Sequence, residues 1–277
     1  MIDLHHRPPI HCPVCETCGT QFVASAEPPL RCPICEDERQ YVGWAGQRWT
    51  THDELARRFS LRLEEDDGLF GTGLRESFAI PQRALWLPTD AGNILWECVS
   101  LVTPEAVQAL KLRGGVDRIV ISHPHFYSSM VEWSEALGGV PILLHEADRE
   151  WVQRPSSRIQ FWRGDSLGLS EGVTLIRCGG HFEGSTALHW AGGAQGRGAL
   201  FPGDALQVTA DRRHVAFMYS YPNFMPMRPG AVQGMRERLA GLAFDTVHGY
   251  TWGRNIIGGA REAVDRSFDR YLEAVAA

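Results

Sequence analysis

ISHPHFYSSM, residues 121–130, is the stretch from which the rest of the chain is best read. It overlaps VDRIVIS (116–122), whose β-branched residues suit a buried strand, and it leads into a helical pattern. His123 and His125 stand two apart at that strand end. On extended backbone, residues two apart point the same way, so both imidazoles can address one ion. One His-x-His pair does not make a site, because histidines also sit in cores hydrogen-bonded to backbone.

Three further segments add to it. CGGHFEGSTALHW (178–190) puts His181 in a Gly-rich turn after a strand, ALFPGDAL (199–206) puts Asp204 in another, and FDTVHGYTWG (244–253) ends a strand on His248. Ligands delivered from several strand-end loops are how a rigid sheet core presents a metal site.

In order and context these residues resemble the metallo-β-lactamase superfamily, whose signature is HxHxDH, a Gly-His-x-x-Gly-Ser turn, a Gly-Asp and a late His. His123, His125, His181, Asp204 and His248 match it in turn, over roughly residues 68–260. The resemblance implies an α+β fold, an αββα sandwich of two mixed sheets with helices outside and a metal site at one edge. It also implies a first-ion set of His123, His125 and His181. Where the signature has Asp then His, this chain has Tyr127 and Ser128, so the second-ion set keeps only Asp204 and His248. A neutral phenol, with its pKa near 10, is a poor ligand, and the expectation is a mononuclear centre. The chemistry implied is hydrolytic: zinc-activated water attacks an ester, lactone or thioester, Asp204 ligates or takes the water's proton, and Tyr127 donates to an oxyanion. Two alternatives stay open. Two histidines plus Asp204 would also make an Fe(II) triad for a sulfur or persulfide oxygenase, and the domain could be a degenerate scaffold for interactions.

Outward from this core, GLFGTGLRESFAI, RALWLPTD, GNILWECVSLV, VPILLH, VTLIRC, STALHW and GALFPG read as strands. A helix starts at Thr103 as N-cap with Pro104 next and stops at Gly114-Gly115; a Ser-capped helix carries Met130, Trp133 and Leu137. Two later helices carry Val232, Leu239 and Leu242, then Val264, Phe268, Leu272 and Val275. Strand runs with helices between them suggest a two-sheet core covered by helices. Glu97 ends a strand, where it can orient the loop bearing His123 or be an ordinary strand-end carboxylate. His145 is read as structural or supporting, His189 as structural, His214 as solvated and Cys178 as packing. The aromatic loop FMYSYPNFMPM (217–227) suits a wall for a partly apolar small-molecule substrate, core, or an oligomer contact.

The first 40 residues differ in composition, being rich in Cys and Pro. Cys15-x₂-Cys18 and Cys32-x₂-Cys35 offer four thiolates, enough to close a tetrahedral structural zinc site in a rubredoxin-like knuckle. Cys12 and Cys15 form a competing C-P-x-C pair; Cys15 and Cys18 are preferred because Gly19 follows the second cysteine. The expected division is a knuckle at 1–40, an aromatic junction at 41–67 (Tyr41, Trp44, Trp49) packed on the body, and a main domain at 68–277. A net charge of −6, from 27 basic and 33 acidic residues, argues against nucleic acid or an anionic membrane as main partner. Residues 1–15 hold no apolar leader core, no apolar run approaches the roughly 18 residues of a membrane span, and clustered cysteines suit a reducing compartment. The expectation is a cytoplasmic protein.

Overall fold

A computed structural model describes residues 11–276, so the leader reading at the N-terminus lies largely outside the described residues. Two mixed sheets face one another. The first has seven strands in chain order: Leu61–Asp66, Leu69–Leu74, Ala84–Thr89, Gly92–Trp96, Arg118–Val120, Ile142–His145 and Ile159–Trp162. It is antiparallel as far as Gly92–Trp96 and parallel beyond. The second has six, Ser166–Gly168, Val173–Arg177, Thr186–Trp190, Ala199–Phe201, Thr246–His248 and Asn255–Ile257. There only Ala199–Phe201 and Thr246–His248 run parallel.

The two-residue period of a strand sorts the side chains into layers. Leu85, Leu87, Ile94, Trp96 and Val120 meet Leu175, Leu188 and Phe201 between the sheets. The alternate residues Leu95, Ile119, Ile142 and Leu144 face helices Pro104–Leu112 and Met130–Ala136. On the other side Ile176, Leu200 and Val247 face helices Pro229–Leu239 and Ala260–Ala276. The result is the expected αββα sandwich. Among the described residues no helix is long and apolar enough to cross a membrane.

Local chemistry sets the ends. Thr103 caps its helix by accepting from Ala106 N, with Pro104 next, as read from sequence. Ser129 flanks the next helix but makes no cap; its hydroxyl donates to Ser100 O at 2.8 Å instead. The main sheet also starts earlier than residue 68, because LRLEED forms its edge strand. Within the junction Trp49 packs edge-on against Phe22, 4.8 Å between centroids, whereas Trp44 is wholly exposed and Tyr41 half-exposed. Elsewhere in the junction Leu55, Phe59 and Leu61 join knuckle Val14 to body Phe78 and Leu101 in one cluster, so the junction does pack the knuckle on the body, though not through Tyr41 or Trp44.

Gly198 sits where Ala199–Phe201 enters the second sheet. Its φ of +87° suits glycine, and a Cβ there would lie 2.2 Å from Ala243 O. Gly198→Ala should cost at least about 2 kcal/mol, read as a drop in the urea midpoint. An unchanged midpoint would contradict this backbone path.

Candidate metal centre

The parallel strands end on one edge, and the chain turns there sharply. His123 is extended (φ −167°, ψ 170°), and Pro124–Phe126 then forms one 3₁₀ turn carrying His125. The two rings are thus brought together by a turn, not by two-residue alternation, and present different nitrogens. His123 Nδ1 is taken by Ser122 Oγ at 2.8 Å, leaving Nε2, which lies 3.4 Å from Asp204 Oδ2. His125 turns Nδ1 toward His181 Nε2 at 3.2 Å, and His181 Nε2 is 3.7 Å from Asp204 Oδ2. His181 Nδ1 donates to Met218 O at 3.2 Å, which fixes Nε2 as its free lone pair. One donor atom from each of the four residues lies within 4.8 Å of the others.

These residues fit a metal ion. A tetrahedral zinc with arms of about 2.0–2.1 Å has edges of about 3.3–3.4 Å, close to the spacings found. His123 Nε2 and Asp204 Oδ1 are buried and have no protein partner. All four residues are buried, between 0 and 4% exposed. Burial, then Arg39, holds His123 down at about 3; burial, then His123, holds His181 at about 4, and burial holds His125 well below its usual range. The imidazoles are therefore neutral and their lone pairs free. Burial raises Asp204 to about 6, partly offset by His181.

Supporting groups set the loops. Glu97, at φ +69° and fully buried, accepts from Ser122 N through Oε2 at 3.1 Å, so it does orient the loop bearing His123. Desolvation raises this carboxyl to about 8. Gly203 precedes Asp204 because a Cβ there would strike Ser122 Oγ at 2.3 Å. Asp148 accepts from Gly184 N at 2.8 Å, steadying the turn after His181. Phe126 and Phe182 pack against the rings, 4.4 Å from His123 and 4.9 Å from His125.

Other sequence readings come out differently. Tyr127 is buried and its hydroxyl donates to Asp148 O at 3.3 Å. An oxyanion role for Tyr127 therefore gets no support, because its proton is committed to a backbone carbonyl. Ser128, at φ +40°, accepts from Gln82 Nε2 at 2.7 Å. His248 stands apart from the four: it stacks on Phe201 (5.1 Å, 13°) and lines a cleft of about 400 Å³ with Trp86 and Trp190. No second-ion set is assembled among the described residues. His145 and His189 bond to backbone at Gly164 O and Ala243 O; His214 pairs with Asp211. Cys178 is buried, its thiol pushed up to about 12.

In the knuckle, Cys15, Cys18, Cys32 and Cys35 group together, all buried, and Cys12 stays outside. Sγ spacings of 3.5 Å (Cys15–Cys35) and 3.7 Å (Cys18–Cys32) approach the edge of about 3.8 Å of a zinc–thiolate tetrahedron. Four free thiols at that spacing fit a metal.

Arg39 and Asp148 carry no sequence signal. Arg39 lies in EDERQ (36–40), which reads as a solvated charge run, yet its side chain is only 12% exposed.

No family model matches the chain. The structure is similar to the crystal structures of VMB-1 (TM-score 0.57, 13% identity, 79% of this chain and 99% of that one) and DIM-1 metallo-β-lactamase (0.56, 12%, 79% and 99%). It is also similar to a B3 metallo-β-lactamase with an active-site glutamic acid (0.52, 16%, 80% and 93%). With the edge-on His/Asp cluster, this defines a metallo-β-lactamase fold. The chain is also 39% identical over 265 residues to the uncharacterized protein YmaE of Bacillus subtilis (strain 168), covering 95% of this chain and 96% of that protein. It belongs to the YmaE family.

The imidazoles are already neutral at pH 6, so Asp204 is the last ligand to lose its proton. As pH falls through about 6, protons should compete with the ion at Asp204. Zinc affinity of the cluster should be flat above that point and fall roughly tenfold per pH unit below it. Competition against a chromophoric chelator between about pH 5 and 8 measures this; an affinity already falling from well above pH 6 would contradict the ligand set.

Proposed function

We propose that the protein is a metal-dependent hydrolase with a single-ion centre, zinc in our reading, acting on a small-molecule ester, lactone or thioester. The observation that carries it is the convergence of one donor atom each from His123, His125, His181 and Asp204 within 4.8 Å of one another, with contacts of 3.2, 3.4 and 3.7 Å among them. The three histidines would hold the ion, and Asp204 would either complete the set or accept the proton of a water in an open fourth position. When bound, the ion supplies Lewis acidity and lowers the pKa of a water in its shell. Phe126 and Phe182 keep bulk water off the imidazoles. A single ion follows from Tyr127 and Ser128, whose hydroxyls serve Asp148 O and Gln82. The ester-like substrate class rests on analogy with the fold. The four-cysteine set would hold a structural zinc.

A second reading, a scaffold with a structural ion, is favoured by the near-complete burial of all four ligand side chains.

Elemental analysis of wild type, His123→Ala/His125→Ala and Cys15→Ser/Cys18→Ser proteins, with hydrolysis assays on an aryl ester, a lactone and a thioester, separates these. Each double variant should lose about one equivalent of metal, a different one, and the histidine variant should lose turnover to background. A zinc-loaded wild type that hydrolyses none of the three favours the scaffold. Iron in the histidine-held site, with oxygen uptake on a persulfide, would replace the hydrolase with an oxygenase.

A further inference from the structure

The knuckle meets the body at several points, Gln21 N to Ser128 O and Val23 N to Gln153 O among them, and its contacts with His181 come from the four residues that follow its last helical turn, Pro33–Glu36. Asp37 accepts from Arg39 N at 3.0 Å and from Arg39 Nη2 at 2.9 Å, folding the side chain back as a braced fork. The guanidinium then lies 3.8 Å from the Phe182 centroid and 5.2 Å from that of Trp151, and Nη1 donates to His181 O at 3.1 Å. Trp151 itself packs against both the cysteine core and Phe182.

The same four residues also hold the far side of His181. Ser220 Oγ donates to Arg39 O at 3.0 Å, and Asn223 Nδ2 donates to Glu38 O and Gln40 O, both at 3.0 Å. Tyr219 donates to Glu38 Oε1 at 2.6 Å. These contacts fix the stretch whose Met218 carbonyl receives His181 Nδ1. The backbone of this one histidine and its ring are therefore both tied to Asp37–Gln40. Among the described residues, neither His123 nor His125 hydrogen-bonds to Asp37–Gln40.

We propose that Arg39 is a positioning residue through which the four-cysteine knuckle sets the aim of His181, so that the knuckle tightens metal binding at the His/Asp cluster. This rests on the reading that the cluster holds an ion. Partners that orient a ligand from behind typically change metal affinity about 10–100-fold. Arg39 would act on one ligand of a separate site, across a boundary between the knuckle and the sandwich.

The test uses the full-length chain and Co²⁺ as probe, because thiolate-bound and imidazole-bound cobalt differ in absorption. Arg39→Met keeps the bulk and removes the fork. It should keep one cysteine-held ion, weaken Co²⁺ binding at the His/Asp cluster by about tenfold or more, and speed hydrogen exchange of the amides at 181–185. Arg39→Lys, with charge and a donor but no planar fork, should recover part of the affinity. Cys32→Ser/Cys35→Ser should weaken the cluster similarly; if that variant fails to fold, the arginine pair still decides. Wild-type affinity and wild-type exchange in Arg39→Met would overturn the proposal and leave the metal reading standing. A wild type that takes up only the cysteine-held ion would overturn the metal reading, and the proposal with it.

Discussion

Three neutral imidazoles and a carboxylate meet where water scarcely reaches, and the neighbouring parts of the fold are arranged around that meeting. A buried acceptor without a partner costs about 1–3 kcal/mol, and here His123 Nε2 and Asp204 Oδ1 both lack one. Such an arrangement asks for a cation. Its surroundings answer to the same demand: Glu97 braces Ser122, Gly203 lets Asp204 approach, and Ser122 and Met218 take the far nitrogens of His123 and His181. Strong burial also explains why these rings stay unprotonated at neutral pH, which leaves them ready to ligate.

Much of this was legible in the residues. Short apolar runs between Gly, Pro and Asp turns gave the buried strands, Thr103-Pro104 gave a helix start, and two C-x₂-C pairs gave the knuckle. Order along the chain grouped His123, His125, His181 and Asp204. The edge strand Leu61–Asp66 was harder, because LRLEED alternates but ends in charges, as exposed edges do. His125 was grouped for an incomplete reason: a proline-led turn, not extended backbone, swings its Nδ1 inward. Tyr127 illustrates a limit of motif matching. It holds a metal-ligand position in the aligned signature, yet a carbonyl three residues beyond the neighbouring strand's end draws off its proton, and no local pattern records that. Arg39 is invisible for the same reason, since, Asp37 apart, its partners Trp151, His181 and Phe182 lie more than a hundred residues away.

The two ligand sets divide the work differently. In the knuckle, the spacing of four sulfurs leaves little for the rest of the chain to decide. In the main domain, each ligand sits on a separate loop, and aim depends on neighbours that are not ligands. Asp148 holds the turn after His181 from one side and Arg39 from the other. A substitution at either would leave the ligand inventory intact while moving one donor.

The placement of the knuckle ahead of the sandwich also bears on assembly during synthesis. Its four cysteines span only residues 15 to 35, so their coordination sphere can close as soon as that short segment leaves the ribosome. The surface it docks against, from Trp151 to Asn223, emerges much later. An ion gripped early by the four cysteines would give the later sandwich a formed piece to close against, with Trp49 and Trp151 added to it as they emerge.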